Sequence, residues 1–254
     1  TLGKLKKNNK TVILLSNAPR RALTVQNKLS AIGIHSGLYD RIISSGEICR
    51  NIFLSNENIL SKIGKSFYFI GQETDKCIAE DLSLSEVINI DNANFLLVCG
   101  TRDFDDSISM YKKELDMALK FKLPLVCANP DKVVVRQNGA MLICAGKMAE
   151  YYKKKGGVVY SFGKPYRSAY ETCVKYLKKM NPDIKKEEIL IVGDSLETDI
   201  LGANNFSFQS LLVASGIHKK ELLINEEYLS NSAITKVFTK NNSYPNYIMK
   251  EFIF

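Results

Sequence analysis

Tryptophan is absent, histidine occurs only at positions 35 and 218, and no two of the six cysteines form a CxxC pair. Two histidines exclude a multi-histidine metal centre. Of the six cysteines, Cys49, Cys77, Cys99, Cys127, Cys144 and Cys173, three end or adjoin apolar runs. That pattern fits reduced core thiols in a cytoplasmic protein better than a disulfide framework. No run of 18 apolar residues and no signal-peptide pattern occurs, so no membrane partner is expected. What is present is ordinary for a globular chain: 254 residues, 45% hydrophobic and 24% charged. That length allows one large domain or two unequal ones, and leaves room for a homo-oligomer. The net charge of +8 suggests acidic partners. Its lysines are scattered, however, and no basic helix interleaves with aromatics, so nucleic acid is not expected as a partner.

The chain is organised around Ile189-Leu190-Ile191-Val192-Gly193-Asp194-Ser195-Leu196-Glu197-Thr198-Asp199. Four aliphatic residues predict a buried parallel strand, Gly193 ends it, and two carboxylates follow. Acids beyond the carboxyl end of a strand are how an open α/β sheet builds a site. A surface loop whose Asp and Ser cap the next helix is the alternative. A second strand, residues 11–15, ends in Ser16-Asn17-Ala18-Pro19-Arg20, and a helix over 22–32 stops at Gly33. Ser16 and Asn17 read either as a turn or as neutral donors to an oxyanion. A third strand, 158–162, leads into Gly163-Lys164-Pro165 and a helix from about 168 to 180. A lone lysine there is a solvent-facing residue or a site cation. Three such junctions bearing an amide, a cation and a carboxylate pair can converge at one sheet edge.

Between these lies a second α/β body. Ser44-Ser45-Gly46-Glu47 predicts a helix start capped by Ser44 or Ser45. Strands are expected at 66–70, 95–99 and 123–128, and a helix at 107–121. The last strand delivers Asn129-Pro130-Asp131 to a loop, where Asp131 either stabilises the turn or meets a ligand. An extended segment is expected at 133–135, a turn at Asn138-Gly139, and a turn followed by a helix over 141–152. Gly202 suggests close packing of the helix after Asp199 on the sheet. Ile234, Val237, Tyr247, Ile248 and Phe252 are candidate anchors of the polar tail.

In their order and separations, Leu14-Leu15-Ser16-Asn17, Gly163-Lys164-Pro165, and Gly193-Asp194-Ser195-Leu196-Glu197-Thr198-Asp199 with Leu201-Gly202-Ala203 resemble the haloacid-dehalogenase-like superfamily. More narrowly, the chain is similar to NagD-like phosphatases, whose cap lies between the second and third motifs. The resemblance covers nearly the whole chain. It implies an α/β fold: a Rossmann-like parallel-sheet core of residues 1–33 and 134–254 with an inserted α/β cap at 34–133. It also implies a phosphatase that uses Mg²⁺ and an aspartyl-phosphate intermediate on a small phosphorylated metabolite. Ser16 or Asn17 would bind the phosphoryl oxygens and Lys164 would balance charge. Asp194 would ligate the metal, while Asp199 would support a metal-bound water or orient Lys164. Asn129 and Asp131 would meet the substrate's leaving group.

One departure bears on activity. The family pattern opens with a strand and Asp-x-Asp-Gly, whose first Asp is the nucleophile. No such motif precedes Ser16. Because Lys164, Asp194 and Asp199 remain together and residue 1 is not methionine, the expectation is a truncated chain, inactive as it stands. The alternative is a non-catalytic binding or regulatory protein on the same fold.

Overall fold

The four residues of strand Phe95–Val98 are all buried, because the strand is the middle of a five-stranded sheet. The computed structural model describes residues 1–55, 62–135, 141–225 and 228–253. Packing divides the chain into two units. One comprises Leu14–Gly37 and Arg41–Gly163; the other comprises Thr1–Ile13, Leu38–Asp40 and Lys164–Phe254.

In the first unit the sheet order is Ser85–Glu86, Ser66–Ile70, Phe95–Val98, Leu125–Cys127, Val159–Ser161, parallel throughout. Alternation of side chains sends Leu96, Val98, Leu125 and Cys127 into one core cluster. Helix Ile108–Lys120 covers that face with Tyr111, Leu115 and Ala118, one helical stripe, and helix Ala145–Lys154 adds Met148 and Tyr152. Opposite-facing residues make a second contact: the Phe95 ring lies 5.9 Å from both Phe53 and Phe67. Phe53 comes from helix Ser45–Leu54, which Ser44 caps by accepting the Glu47 N–H at 3.2 Å.

In segment 141–152 the expected helix is present, but a strand stands where the turn was expected. Met141–Ile143 is a strand paired antiparallel with Val133–Val135, and the helix begins at Ala145. The turn expected at Asn138-Gly139 lies outside the described residues. The packing boundary falls between Gly163 and Lys164, and not at the expected 133/134, because Val159–Ser161 joins the sheet beside Leu125–Cys127. Residues 14–33, expected in the core domain, also pack with this unit.

The second unit carries a parallel sheet ordered Leu190–Gly193, Gln209–Val213, Tyr247–Met249. The first strand is less buried than its aliphatic run suggests: Leu190 is 47% exposed, because among the described residues the strand stands at the sheet edge. Leu196, Ile200, Leu212, Ala214, Leu222 and Val237 form its core, with Ile234 and Ile248 packed against them. Of the other tail anchors, Tyr247 is 54% exposed. All six cysteines are free thiols. No helix among the described residues is long and apolar enough to cross a membrane.

Gly146 shows how tightly the first unit holds the loop 129–131. Its N–H donates to the Asp131 carbonyl at 3.0 Å, and a Cβ there would overlap the Pro130 carbonyl. In an open helix Gly146→Ala would gain about 1 kcal/mol of propensity. Here backbone overlap should win, for a net loss of about 1–3 kcal/mol in urea unfolding. A stabilised variant would show that the loop yields freely.

Candidate active site

The predicted residues fall into two sets, one in each unit. In the unit that begins at Lys164, strand Leu190–Gly193 delivers Asp194, and a π-helical turn over Leu196–Ile200 carries Asp199. The two carboxylates differ in surroundings. Asp199 is buried: its Oδ1 accepts from Lys164 Nζ at 2.8 Å and its Oδ2 from the Ser195 N–H at 3.2 Å. Gly193 makes room for it, since a Cβ there would overlap the carboxyl group. The turn is fixed from below by Tyr170, whose hydroxyl lies 3.1 Å from the Thr198 carbonyl and 3.2 Å from that of Asp199. Gly202 admits the phenol, because any side chain at 202 would overlap it. The close packing expected at Gly202 against the sheet is instead against Tyr170 of helix Arg167–Met180. Burial first, then the Asp199 carboxylate, holds the Tyr170 phenol protonated far above its ordinary range. Cys173 is pushed to about 12 by burial, against the opposing charge of Lys164.

Asp194 is exposed. Its Oδ2 accepts the Ile217 N–H at 3.1 Å, while Oδ1 accepts no hydrogen bond among the described residues. Gly216 forms the cradle, as a Cβ at that position would overlap the carboxylate. The loop is held by His218, whose Nε2 accepts the Leu196 N–H at 3.3 Å. Nδ1 then carries the proton, 2.8 Å from Glu221 Oε2. Of the two roles considered for Asp199, orienting Lys164 is the one its contacts support. A single open carboxylate suits Mg²⁺, which takes one or two protein carboxylates and fills its shell with water and phosphate. Among the described residues no group of three or more His, Cys, Asp or Glu side chains could hold a metal.

In the other unit Ser16 ends strand Ile13–Ser16, and its Oγ accepts the Ala18 N–H at 3.2 Å. Asn17 is 5% exposed and donates from Nδ2 to Asp131 Oδ1 at 2.8 Å. Asn129 closes its own turn by accepting the Asp131 N–H at 3.2 Å. Sequence reading missed Ser45 as the clamp between these segments. Its hydroxyl reaches the Ala128 carbonyl and lies 2.8 Å from that of Asn17. The Ser-Ser-Gly-Glu motif marked the position only as a helix cap.

Ser16, Asn17, Asn129 and Asp131 line a cavity of about 330 Å³, together with Arg20, Gln72 and Asp75. Arg20 Nε lies 2.6 Å from Asp75 Oδ1 but out of line with it, so the contact is one of charge. A second arginine nitrogen reaches Gln72 Oε1 at 3.3 Å. Burial pushes the Asp75 carboxyl up, and Arg20 opposes the shift. Nothing in the local pattern around Gln72 and Asp75 signalled their place.

Residues 161–238 match the family model described as HAD-hydrolase-like. A cardiolipin synthase (CMP-forming)/mitochondrial hydrolase fusion protein of Schizosaccharomyces pombe is 34% identical over 83 residues, 31% of this chain. The match spans only 14% of that relative's length. A haloacid dehalogenase-like hydrolase of Brucella suis superposes with a TM-score of 0.83 at 26% identity, covering 99% of this chain and 87% of its own. The glycerol phosphate phosphatase of Mycobacterium tuberculosis, solved in complex with magnesium, gives 0.67 at 21% identity over 98% of this chain and 68% of its own. The haloacid-dehalogenase-like resemblance is thereby shown: in the α/β fold along the chain, and in the family match over residues 161–238.

The unequal burial of the two carboxylates predicts unequal costs of removal. Asp199→Ala removes the buried carboxylate paired with Lys164 and should cost about 3 kcal/mol in denaturant unfolding. Asp194→Ala should stay within about 1 kcal/mol. Equal losses would contradict the assignment of Asp199 as the structural partner of the lysine.

Proposed function

We propose that this haloacid-dehalogenase-like chain is the body of a Mg²⁺-dependent phosphoryl hydrolase acting on a small phosphorylated metabolite. The observation that carries the reading is the oriented lysine: Lys164 is held 2.8 Å from buried Asp199, while Asp194 keeps an open oxygen in a glycine cradle. Phosphoryl transfer asks a protein mainly for positioning and charge neutralisation. Lys164 neutralises charge on the phosphoryl group and Asp199 positions Lys164. Ser16 or Asn17 would donate to phosphoryl oxygens. Asp194 would hold Mg²⁺, which supplies further charge neutralisation when bound. Asn129 and Asp131 face the remainder of the substrate, and the Asn17–Asp131 hydrogen bond fixes the direction of the amide.

A second reading is a binding or regulatory protein on the same fold, in which strand Ile13–Ser16 itself carries no carboxylate and the site holds an anion without turning it over. On the hydrolase reading, residues 1–254 alone turn over an aryl phosphate poorly, and the same residues joined to a strand bearing Asp-x-Asp-Gly turn it over well. In that active form, Lys164→Ala and Asp194→Asn should each lower kcat by about 10²–10³. Turnover by residues 1–254 alone that Asp194→Asn abolishes would refute the need for another carboxylate. Inertness of the joined form across a panel of phosphate esters would favour the binding protein.

Specificity gives a separate test. Asp131→Ala should change the ranking of kcat/KM among phosphorylated metabolites more than it changes turnover of a small aryl phosphate. Equal losses on all substrates would assign Asp131 to architecture.

A further inference from the structure

Helix Arg167–Met180 borders a groove of about 640 Å³ that the phosphoryl chemistry does not use. Its apolar side is aromatic. The Tyr170 ring lies 5.3 Å from Phe206, tilted 33°, and 6.1 Å from Phe208 at 26°. Its rim is cationic. Lys186 Nζ sits 5.5 Å from the centre of the Phe208 ring and donates to the Phe206 carbonyl at 3.0 Å, which places one positive charge over the floor. Across the groove Lys175, Lys178 and Lys179 are exposed on the helix, and none has a carboxylate within 4.0 Å among the described residues. The one acid of the lining, Glu171, is taken by Arg167 at 2.5 Å.

Four uncompensated lysines around an aromatic floor form a combination that solvation of a helix face does not require. A solvated face needs no rings beneath it, and a purely structural aromatic cluster needs no ring of like charges. We propose that this groove binds a planar aromatic ring carrying a polyphosphate, the chemistry of a nucleoside diphosphate. The ring would lie against Phe206 with Tyr170 and Phe208 behind it, in the offset geometry aromatic pairs prefer. The phosphates would reach the lysines, compact point charges suited to them. The volume is within the 300–1,000 Å³ or so of small-molecule sites. The concavity and the single ring cluster favour a mononucleotide over a strand, which needs successive stacking platforms along a groove. The site is distinct in its residues from Ser16, Asn17, Lys164 and Asp194. Tyr170 nevertheless lines the groove with its ring while its hydroxyl holds the turn of Asp199.

Calorimetric titration of ADP into residues 1–254, without divalent metal, tests the proposal. ADP should bind, and the exchange Lys175→Glu/Lys179→Glu should weaken it by about tenfold or more. Adenosine or pyrophosphate alone should each bind about tenfold more weakly than ADP. Both lysines of the exchange are exposed, so the fold should persist, as circular dichroism would check. Pyrophosphate binding as tightly as ADP would overturn the aromatic half of the proposal. Loss of binding in Lys164→Ala with none in the double variant would place ADP at the phosphoryl site instead. A single-stranded oligonucleotide that displaces ADP at equal nucleotide concentration would replace the mononucleotide by a strand.

Discussion

Burying a carboxylate is costly unless a charge and directed hydrogen bonds come with it, and the architecture around Asp199 follows from that constraint. Lys164 supplies the charge and the Ser195 N–H the second bond. Gly193 supplies the space, and Tyr170 anchors the turn by its carbonyls. Each partner comes from a different element. Removing the lysine would leave a buried anion, and removing the acid would leave a half-buried cation. The pair therefore fixes Lys164 in one place, which flexible lysine side chains otherwise lose entropy to reach.

The same constraint separates the roles of the two acids. Asp199 is satisfied by protein, whereas among the described residues Asp194 accepts a hydrogen bond on one oxygen only. On the proposed reading, one carboxylate orients a cation and the second is left for an outside partner, an arrangement that would serve an anionic substrate with a hard metal. Phosphate esters meet that description. In the other unit, Asn17 and Asp131 repeat the logic with neutral and charged groups, the acid fixing the amide's direction.

Much of this was legible in the residues. Gly193-Asp194 through Asp199, Ser16-Asn17 and Gly163-Lys164-Pro165 each announced a strand running into a polar loop, and the strands are there at Leu190–Gly193, Ile13–Ser16 and Val159–Ser161. Apolar periodicity found Tyr111, Leu115 and Ala118 on one helical face because local spacing alone decides that face. What was not legible depends on distant partners. Whether Asp199 pairs or stays open is decided by Lys164, 35 positions away in the chain. The short strand Met141–Ile143 exists because Val133–Val135 lies beside it, and three residues carry too little pattern to say so. Gln72 and Asp75 enter their cavity, and Ser45 reaches the Asn17 and Ala128 carbonyls, by chain crossings that no local motif encodes. The boundary at Gly163 likewise follows from a strand pairing and not from a change in composition.

The central claim is that Lys164 and Asp194 serve one anion together with a divalent metal. The direct measurement is inorganic phosphate binding to the intact chain, followed by ³¹P NMR with and without Mg²⁺. Linkage requires that each ligand tighten the other by the same factor. The account predicts mutual tightening that disappears in Asp194→Asn, and phosphate binding that weakens in Lys164→Met even without metal. Phosphate affinity indifferent to Mg²⁺ and unchanged in both variants would contradict it.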